Sequence, residues 1–297
     1  MASRRGGEQV RRTAGDIAAL NRELLVRFLH EYPFQPATAL WRAVEVDQVI
    51  THGLPPGRGL DLGCGDGLLT RIVLDGVGHR ELVGVEPDPA EASLAEQLGV
   101  YSAVHVVGGD TVPEPDGSFD WVLSNSVLEH IDGIEPVLAE VSRLLRPDGE
   151  LILTVPGADF HRCLRGPLVP GASRERYLMR LDARLAHRRY WSTGEWRAAL
   201  ERHGMSLLST TPYLSQREVR RWESISRSTA GVLYGLGGGR RQPIEIQRNL
   251  GFRRPGRRMP LSVARSIAPV LSAGLNGGSS DDASLFGAYL VVGVKAA

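Results

Sequence analysis

A glycine-rich stretch, LDLGCGDG at residues 60–67, is the first part of this sequence whose residue types and spacing could do chemistry. Its three glycines alternate with other residues, and glycine permits a tight turn there and lets a ligand approach the backbone closely. Loops of this kind usually bind a nucleotide. Asp61 precedes the glycines and Asp66 lies between the last two, so two carboxylates would repel a phosphate group. The stretch therefore predicts a ligand that is cationic rather than phosphorylated.

The dinucleotide-binding fingerprint G-x-G-x-x-G is incomplete in this stretch. Gly63 and Gly65 fit it, but Leu68 stands at the third glycine position. A helix is predicted to begin near Asp66, and this carboxylate would compete with a pyrophosphate for the N–H groups of the helix N-terminus. As an alternative, Asp66 only caps the helix.

Further polar residues follow the later apolar runs of the sequence. Glu86 ends the next run, nineteen positions after Gly67, where an acid in such folds accepts from both ribose hydroxyls. Asp110 follows the third run and could accept from an adenine amino group. Asn125 comes at the end of the fourth. The spacing therefore predicts that these side chains share one ligand.

The elements that must position these residues alternate along the chain. Such alternation predicts an α/β fold whose parallel strands are joined by right-handed crossovers. Strands are predicted at residues 58–62, 81–86, 103–108, 118–124, 149–155 and 205–212 and in LFGAYLVVGVKA at the end, and helices at 66–76, 88–98, 134–145 and 192–203.

We expect a seven-stranded, mostly parallel Rossmann-like sheet with helices on both faces, an N-terminal helical cap and a largely helical insertion before the last strand. Helical periodicity starts near Asp16 and resumes from Pro36 to Ile50, and the insertion contains helical pieces at 216–227 and 260–274. A connection this long is usually functional, so we expect a substrate lid. The predicted division is a tail and cap at 1–50, a core at 51–212, the insertion at 213–285 and the final strand at 286–297.

Five features follow one another along the chain: DLGCGDG, the matched acid Glu86, GD, PDGSFD and RPDG. This succession resembles the class I S-adenosylmethionine-dependent methyltransferases, and looks most like their small-molecule branch. S-adenosylmethionine carries an ammonium and a sulfonium but no phosphate, which fits the two carboxylates of the loop. The resemblance covers about residues 58–156 strongly and 187–212 moderately. It implies that the methionine and ribose side of the cofactor is lined by Asp61, Gly63, Cys64 and Gly65. It also implies that Glu86, with Pro87 beside it, binds ribose, that adenine is bound by Asp110 and Thr111, and that Asn125 lies below the methionine moiety.

Methyl transfer mainly requires alignment of nucleophile, carbon and sulfur, which can contribute about 7–11 kcal/mol. A hydroxyl acceptor also needs its proton removed, and a base adds about 10²–10⁴-fold. His130, in VLEHI just after the fourth strand, and His187, before the helix at 192, are the candidate catalytic residues. His130 could alternatively only shape the pocket, and we interpret Glu129 as a pocket-wall or solvated residue.

Composition excludes several classes of protein. The net charge of +1 gives no overall attraction to nucleic acid or to a membrane surface. The charged N-terminus is followed by no apolar run, so no signal peptide is predicted, and no window approaches the roughly 18 apolar residues of a membrane span. Cys64 and Cys163 make neither a disulfide framework nor a metal cluster, so we expect no metal and a reducing, cytoplasmic location.

The insertion invites an anionic partner, because residues 217–258 contain eleven arginines and three glutamates. Such a surface could favour an acidic or carrier-bound acceptor, although a solvated face in an arginine-rich chain would look the same. Three functions remain open: methylation of an oxygen or nitrogen of a small molecule in secondary metabolism, methylation of protein or RNA, and a cyclase-like enzyme that keeps the cofactor without methyl transfer. The turn at 124–127, SNSV, departs from the Asn-Pro-Pro-aromatic pattern of nucleic-acid amine methylation, so a nucleic-acid partner is not expected.

Overall fold

A seven-stranded sheet forms the centre of the computed structural model, which describes residues 20–231, 258–275 and 285–297. Its strands run in the order β3–β2–β1–β4–β5–β7–β6, and only β7 is antiparallel to its neighbours. The strands are β1 (Arg58–Leu62), β2 (Glu81–Val85), β3 (Ala103–His105), β4 (Phe119–Asn125), β5 (Leu145–Pro156), β6 (Met205–Ser215) and β7 (Phe286–Lys295). The predicted α/β architecture is confirmed. The strand order reverses between β1 and β4, which is where open α/β sheets bind ligands beyond the carboxyl ends of their strands.

Helices cover both faces of this sheet, and each face has its own hydrophobic core. Along β4, for example, Trp121 and Leu123 belong to one core and Val122 to the other, as the two-residue period of a strand requires. The helices are α1 (Arg22–Glu31), α2 (Pro36–His52), α3 (Leu68–Val77), α4 (Pro89–Leu98), α5 (Ile134–Leu144), α6 (Phe160–Cys163), α7 (Arg174–Leu185), α8 (Thr193–Arg202), α9 (Gln216–Ser226) and α10 (Leu261–Leu271), with a 3₁₀ turn at Leu128–His130.

Several elements differ from the sequence-based expectation, among them β3, α6 and α7, of which α6 and α7 were not predicted. The strand predicted at 103–108 ends at His105, because Val106 is exposed and the chain turns away from β2. Helix α7 was not predicted, because only Leu181 and Arg184 of its twelve residues are buried and no apolar stripe marks it. Its start does carry a signal, since the Ser173 side chain accepts a hydrogen bond from the Arg176 N–H as an N-cap.

The N-terminal helices and the insertion pack against each other. His30 and Met259 are joined by a backbone hydrogen bond of 2.9 Å, and Arg258 pairs with Glu31 at 3.0 Å, so the start of α10 docks on α1. In α9, the Trp222 ring meets the Trp41 ring of α2 edge-on. The predicted boundaries of the cap, core and insertion stay predictions, since residues 1–19, 232–257 and 276–284 lie outside the described part of the chain.

Three arginines of the insertion, Arg217, Arg221 and Arg227, bind within the described part of the chain. Arg217 and Arg221 donate to backbone carbonyls at the end of α10, and Arg227 donates to the Gly166 carbonyl and to Glu223. These side chains therefore hold the insertion together. None of the helices in the described ranges is both long and apolar enough to cross a bilayer.

A buried carboxylate, Glu45 of α2, joins the helical cap to the sheet. It is fully buried and accepts hydrogen bonds from Asn125 Nδ2 (2.9 Å), Ser126 Oγ and Tyr213 Oη (3.0 Å), and it pairs with Arg42. Burial raises the pKa of Glu45, but the Arg42 cation and the hydrogen bonds outweigh burial and hold the pKa below its ordinary value of 4.5. The ionised carboxylate thus ties α2 to the end of β4 and to β6.

We expect Glu45→Ala to lower the free energy of unfolding by about 3–5 kcal/mol, because it leaves Arg42 and three polar groups without their buried partner. Glu45→Gln should cost less, since the amide keeps one acceptor. The pKa of Glu45 is lower in the folded than in the unfolded protein, so the ionised carboxylate stabilises the fold above pH 4.5. This stabilisation is lost as the pH falls through the pKa of Glu45 in the folded protein. The difference between wild type and Glu45→Gln in urea unfolding should therefore shrink below about pH 4.5.

The matched control is Asp75→Ala, which removes an exposed carboxylate paired with Arg27 and should cost about 0–1 kcal/mol. Equal losses for Glu45→Ala and Asp75→Ala would contradict the assigned role of Glu45.

Candidate functional site

A cavity of about 600 Å³ opens beyond the carboxyl ends of β1, β2 and β4. Helix α2, the end of α7 and helix α9 cover it, through Trp41, Leu185 and Trp222 respectively. The predicted site residues that line it are Asp61, Gly63, Cys64, Gly65, Glu86, Asn125, His130 and His187. The structure therefore brings the cofactor-binding loop and both candidate histidines into one space.

Three of the predicted site residues lie elsewhere. Pro87, Asp110 and Thr111 are exposed and do not line the cavity. Asp110 and Thr111 follow β3, which is the edge strand of the sheet. The chain after β2 that carries Glu86 lies between them and the histidines, which follow β4 and α7. Their assignment to adenine and ribose stays a prediction.

The glycine loop takes the backbone conformation that its sequence predicts. Gly63, Gly65 and Gly67 all have positive φ angles, of 81°, 55° and 74°. A Cβ atom on Gly63 would lie 2.5 Å from a Val127 methyl group, so only glycine fits there, whereas Gly65 faces open space. Glu86 fixes the loop by accepting from the Gly65 N–H (3.0 Å). The loop thus leaves a pocket beside a carboxylate.

Asp61 is buried at the end of β1 and accepts hydrogen bonds from Thr70 Oγ1 (2.5 Å) and Tyr101 Oη (2.7 Å). Burial outweighs these bonds and, with the nearby Glu86 charge, raises the pKa of Asp61 to about 6. Burial also raises the pKa of the Cys64 thiol, so Cys64 is no nucleophile. Asp66 accepts from the Leu68 N–H (3.2 Å), but it lies one residue before Gly67, which is the N-cap of α3.

The charges around the cavity favour a cationic ligand. Among the described residues that line it are six carboxylates and two arginines, and Arg42 is paired with Glu45. Asn125 adds a buried Oδ1 atom that has no hydrogen-bond partner among the described residues. A pyrophosphate would be repelled here, whereas an ammonium and a sulfonium would be attracted. The residues present therefore fit S-adenosylmethionine.

The two candidate histidines lie together at the other end of the cavity, with ring centroids 5.2 Å apart. His130 Nδ1 bonds the Ala186 carbonyl (3.1 Å), and His187 Nδ1 bonds Tyr190 Oη (3.0 Å), which itself donates to Asp182. These contacts assign the proton of each neutral ring to Nδ1 and leave Nε2 as the basic nitrogen. Burial lowers the pKa of His130, and burial with the neighbouring His130 lowers that of His187 to about 3.

Sequence reasoning missed two residues that support this site. Glu45 acts through Asn125 and Tyr213, which are 80 and 168 residues away, and Asp182 lies in α7, a helix that was not predicted. Glu129 does line the cavity, but it is buried rather than solvated, with 1% exposure. Burial and the nearby Glu45 charge raise the pKa of Glu129 to about 8.

Known proteins resemble this chain over its core. A family profile described as "Methyltransferase domain" matches residues 26–210. An uncharacterized methyltransferase of Mycobacterium leprae is 35% identical over 145 residues, which are 44% of this chain and 52% of the relative. A tRNA U34 carboxymethyltransferase of Cellvibrio japonicus is 34% identical over 115 residues, 36% of this chain and 35% of the relative. The chain spans about half the length of the first curated relatives it matches.

Solved structures resemble it over a longer range. A chain in the complex between the Haloferax volcanii Trm112 methyltransferase activator and the putative methyltransferase aligns with a TM-score of 0.52 at 16% identity, covering 95% of this chain and all of that chain. At this identity the likeness concerns the fold alone. Because the family profile spans more than half of the sequence and the cavity carries the matching residues, the chain belongs to the class I, Rossmann-like S-adenosylmethionine-dependent methyltransferases, with S-adenosylmethionine as its cofactor.

Proposed function

We propose that this methyltransferase acts on an oxygen or nitrogen atom of a small molecule, in secondary metabolism. The observation that supports the proposal is a single cavity of about 600 Å³ that is lined by the glycine loop and by both candidate histidines. This volume falls in the range of small-molecule sites. Trp41 and Trp222 also line this cavity and meet edge-on, and such aromatic lining is typical of sites for small molecules.

At the cofactor end, each residue has an assigned task. When bound, S-adenosylmethionine supplies a methyl group activated by positively charged sulfur. Asp61 attracts the ammonium group, and Glu86 keeps lone pairs for the ribose hydroxyls after bonding Gly65 and Asp88. Asn125 offers its unpaired Oδ1 to the methionine portion. Gly65 leaves the room that these contacts require.

At the acceptor end, His130 takes the proton of the acceptor and His187 orients it, because a pKa of about 3 makes His187 a weak base near neutral pH. Both rings leave Nε2 available, because their Nδ1 atoms are engaged with Ala186 and Tyr190. Asp182 holds Tyr190, and Tyr190 holds His187, so the ring of His187 has a fixed orientation. The aromatic rings above exclude water from the reacting atoms.

The alternatives rest on weaker support. The tRNA-modifying relative matches about a third of this chain, and its activity concerns that protein. An acidic or carrier-bound acceptor stays a prediction, because Arg217, Arg221 and Arg227 are used within the chain. A cyclase-like enzyme would keep the cofactor end unchanged, so only product analysis separates it from a methyltransferase.

The direct test uses S-adenosylmethionine with a labelled methyl group and three acceptor fractions: small molecules, total RNA and total protein. The label should enter the small-molecule fraction. His130→Ala and His187→Ala should lower that turnover by about 10²–10⁴-fold with nearly unchanged cofactor affinity, while the control His203→Ala, on the far end of α8, should not. Label in RNA or protein alone, or cofactor binding with no labelled product, would contradict the proposal.

Glu86→Ala should weaken S-adenosylmethionine binding by about 10- to 150-fold, because charge-assisted hydrogen bonds contribute about 1.5–3 kcal/mol. Glu86→Gln removes the charge but keeps an acceptor for only one of the Gly65 and Asp88 N–H groups, because these bond different oxygens of the carboxylate, so it should have a smaller effect than Glu86→Ala. Glu81→Ala, at the exposed start of β2, is the matched control. If calorimetry found the same cofactor affinity in Glu86→Ala, Glu86→Gln and Glu81→Ala, Glu86 would not belong to the cofactor site.

Cofactor affinity should also depend on pH through Asp61. The ammonium group favours the ionised carboxylate, and the pKa of free Asp61 is about 6. Affinity should therefore be constant above pH 7 and fall by up to about tenfold per unit below pH 6, as Asp61 takes up a proton. Asp61→Asn should bind more weakly at pH 8 and lose this pH dependence. An identical pH profile in wild type and Asp61→Asn would rule out Asp61 as the group that attracts the ammonium.

A further inference from the structure

Three potential metal ligands meet at the acceptor end of the cavity. Glu129, His130 and His187 each offer a ligand atom, and these three atoms lie within 4.8 Å of one another. All three residues also line the cavity. Two imidazoles with one carboxylate are a donor set that binds zinc and related divalent ions with an open coordination position. We propose that these residues bind one divalent transition-metal ion of the zinc class.

Glu129 supplies the strongest support for this site. Its side chain is 1% exposed, and its Oε2 atom has no hydrogen-bond partner among the described residues. Its other oxygen, Oε1, lies 3.9 Å from His130 Nε2. A buried carboxylate oxygen without a partner is costly, and the described side chains supply none. A cation at this point would satisfy it.

The histidines show the hydrogen bonding that orients metal ligands. His130 Nδ1 bonds a backbone carbonyl, and His187 Nδ1 bonds a tyrosine hydroxyl that is held by the carboxylate of Asp182. Outer partners of this kind fix the tautomer and the ring plane of a metal-bound histidine. They leave Nε2 of both rings available for a metal.

The ligands are close to the geometry that a metal requires. Tetrahedral bonds of about 2.0–2.2 Å place ligand atoms about 3.4 Å apart, so the widest separation, which is within 4.8 Å, must shrink by up to about 1.4 Å. His130 can move this far, because its side chain is 39% exposed and belongs to a short 3₁₀ turn.

The metal would determine the kind of acceptor. Three protein ligands leave a coordination position toward the cavity, where a hydroxyl oxygen of the acceptor would bind. Coordination lowers the pKa of that hydroxyl, whose proton passes to water, so the metal replaces a histidine as the means of activation. This assignment of an oxygen acceptor rests on the proposed function, whereas the metal site itself does not.

The test is a titration of the full chain, free of any affinity tag and treated with a chelator, with Co²⁺ and then Zn²⁺. We expect one equivalent of Co²⁺ to give the visible absorption of a four- or five-coordinate ion, and Zn²⁺ to displace it. Glu129→Gln, His130→Ala and His187→Ala should each weaken binding by at least about tenfold. His203→Ala removes a histidine–glutamate pair (2.7 Å to Glu135) at another place and should bind like wild type.

Calorimetric binding of S-adenosylmethionine, measured on the same samples, confirms that each variant is folded and keeps the two proposals apart. Wild-type protein that binds S-adenosylmethionine but no Co²⁺, or a His187→Ala variant that binds Co²⁺ as wild type does, overturns the metal site and leaves the proposed function intact. Protein that binds Co²⁺ but not S-adenosylmethionine overturns the proposed function and leaves the metal site intact.

Discussion

The buried carboxylate of Glu45 is the constraint on which the cavity depends. A charge without access to water must find all its partners inside the protein, and Glu45 finds them on three different elements: Arg42 of its own helix, the end of β4, and Tyr213 of β6. These contacts therefore hold the helical cap against the sheet. The cavity is the space that this arrangement leaves.

The hydrogen bond between Glu45 and Ser126 also shapes the part of the cavity that Ser126 lines. Ser126 has a φ of 51°, an uncommon value for a residue with a side chain, and it is held there by Glu45 and by its N–H bond to the Thr154 carbonyl (3.0 Å). This turn directs the chain from β4 into the 3₁₀ segment that carries Glu129 and His130. One buried ion pair thus couples the cofactor end to the acceptor end.

The two ends of the cavity have complementary chemistry. In the proposed arrangement, carboxylates lie beside the glycine loop, where a sulfonium and an ammonium need negative charge, and neutral imidazoles lie where the acceptor would lose a proton. A sulfonium loses its charge when the methyl group leaves, so the electrostatic attraction of the sulfur to these carboxylates falls during the reaction.

The sequence predicted the sheet, the glycine loop and Glu86, because each has a local signal: apolar runs, glycines at fixed spacing, and an acid at a strand end. It did not predict α7, whose buried residues are too few to form a stripe, although this helix leads directly to His187. Nor did it predict the role of Glu45, whose partners Asn125 and Tyr213 are 80 and 168 residues away along the chain. Those contacts exist only in the folded chain. The arginines of residues 240–257 lie outside the described residues, so the basic surface expected there stays a prediction.

The central claim is that one covered cavity brings the cofactor sulfur to the pair of histidines. A crystal structure of the chain with S-adenosylhomocysteine tests it most directly. The account predicts the ligand's amino group near Asp61, its ribose near Glu86 and its sulfur turned toward His130 and His187, with empty space below Trp41 and Trp222 for the acceptor. A ligand bound with its sulfur facing away from the histidines, or outside the glycine loop, would contradict it.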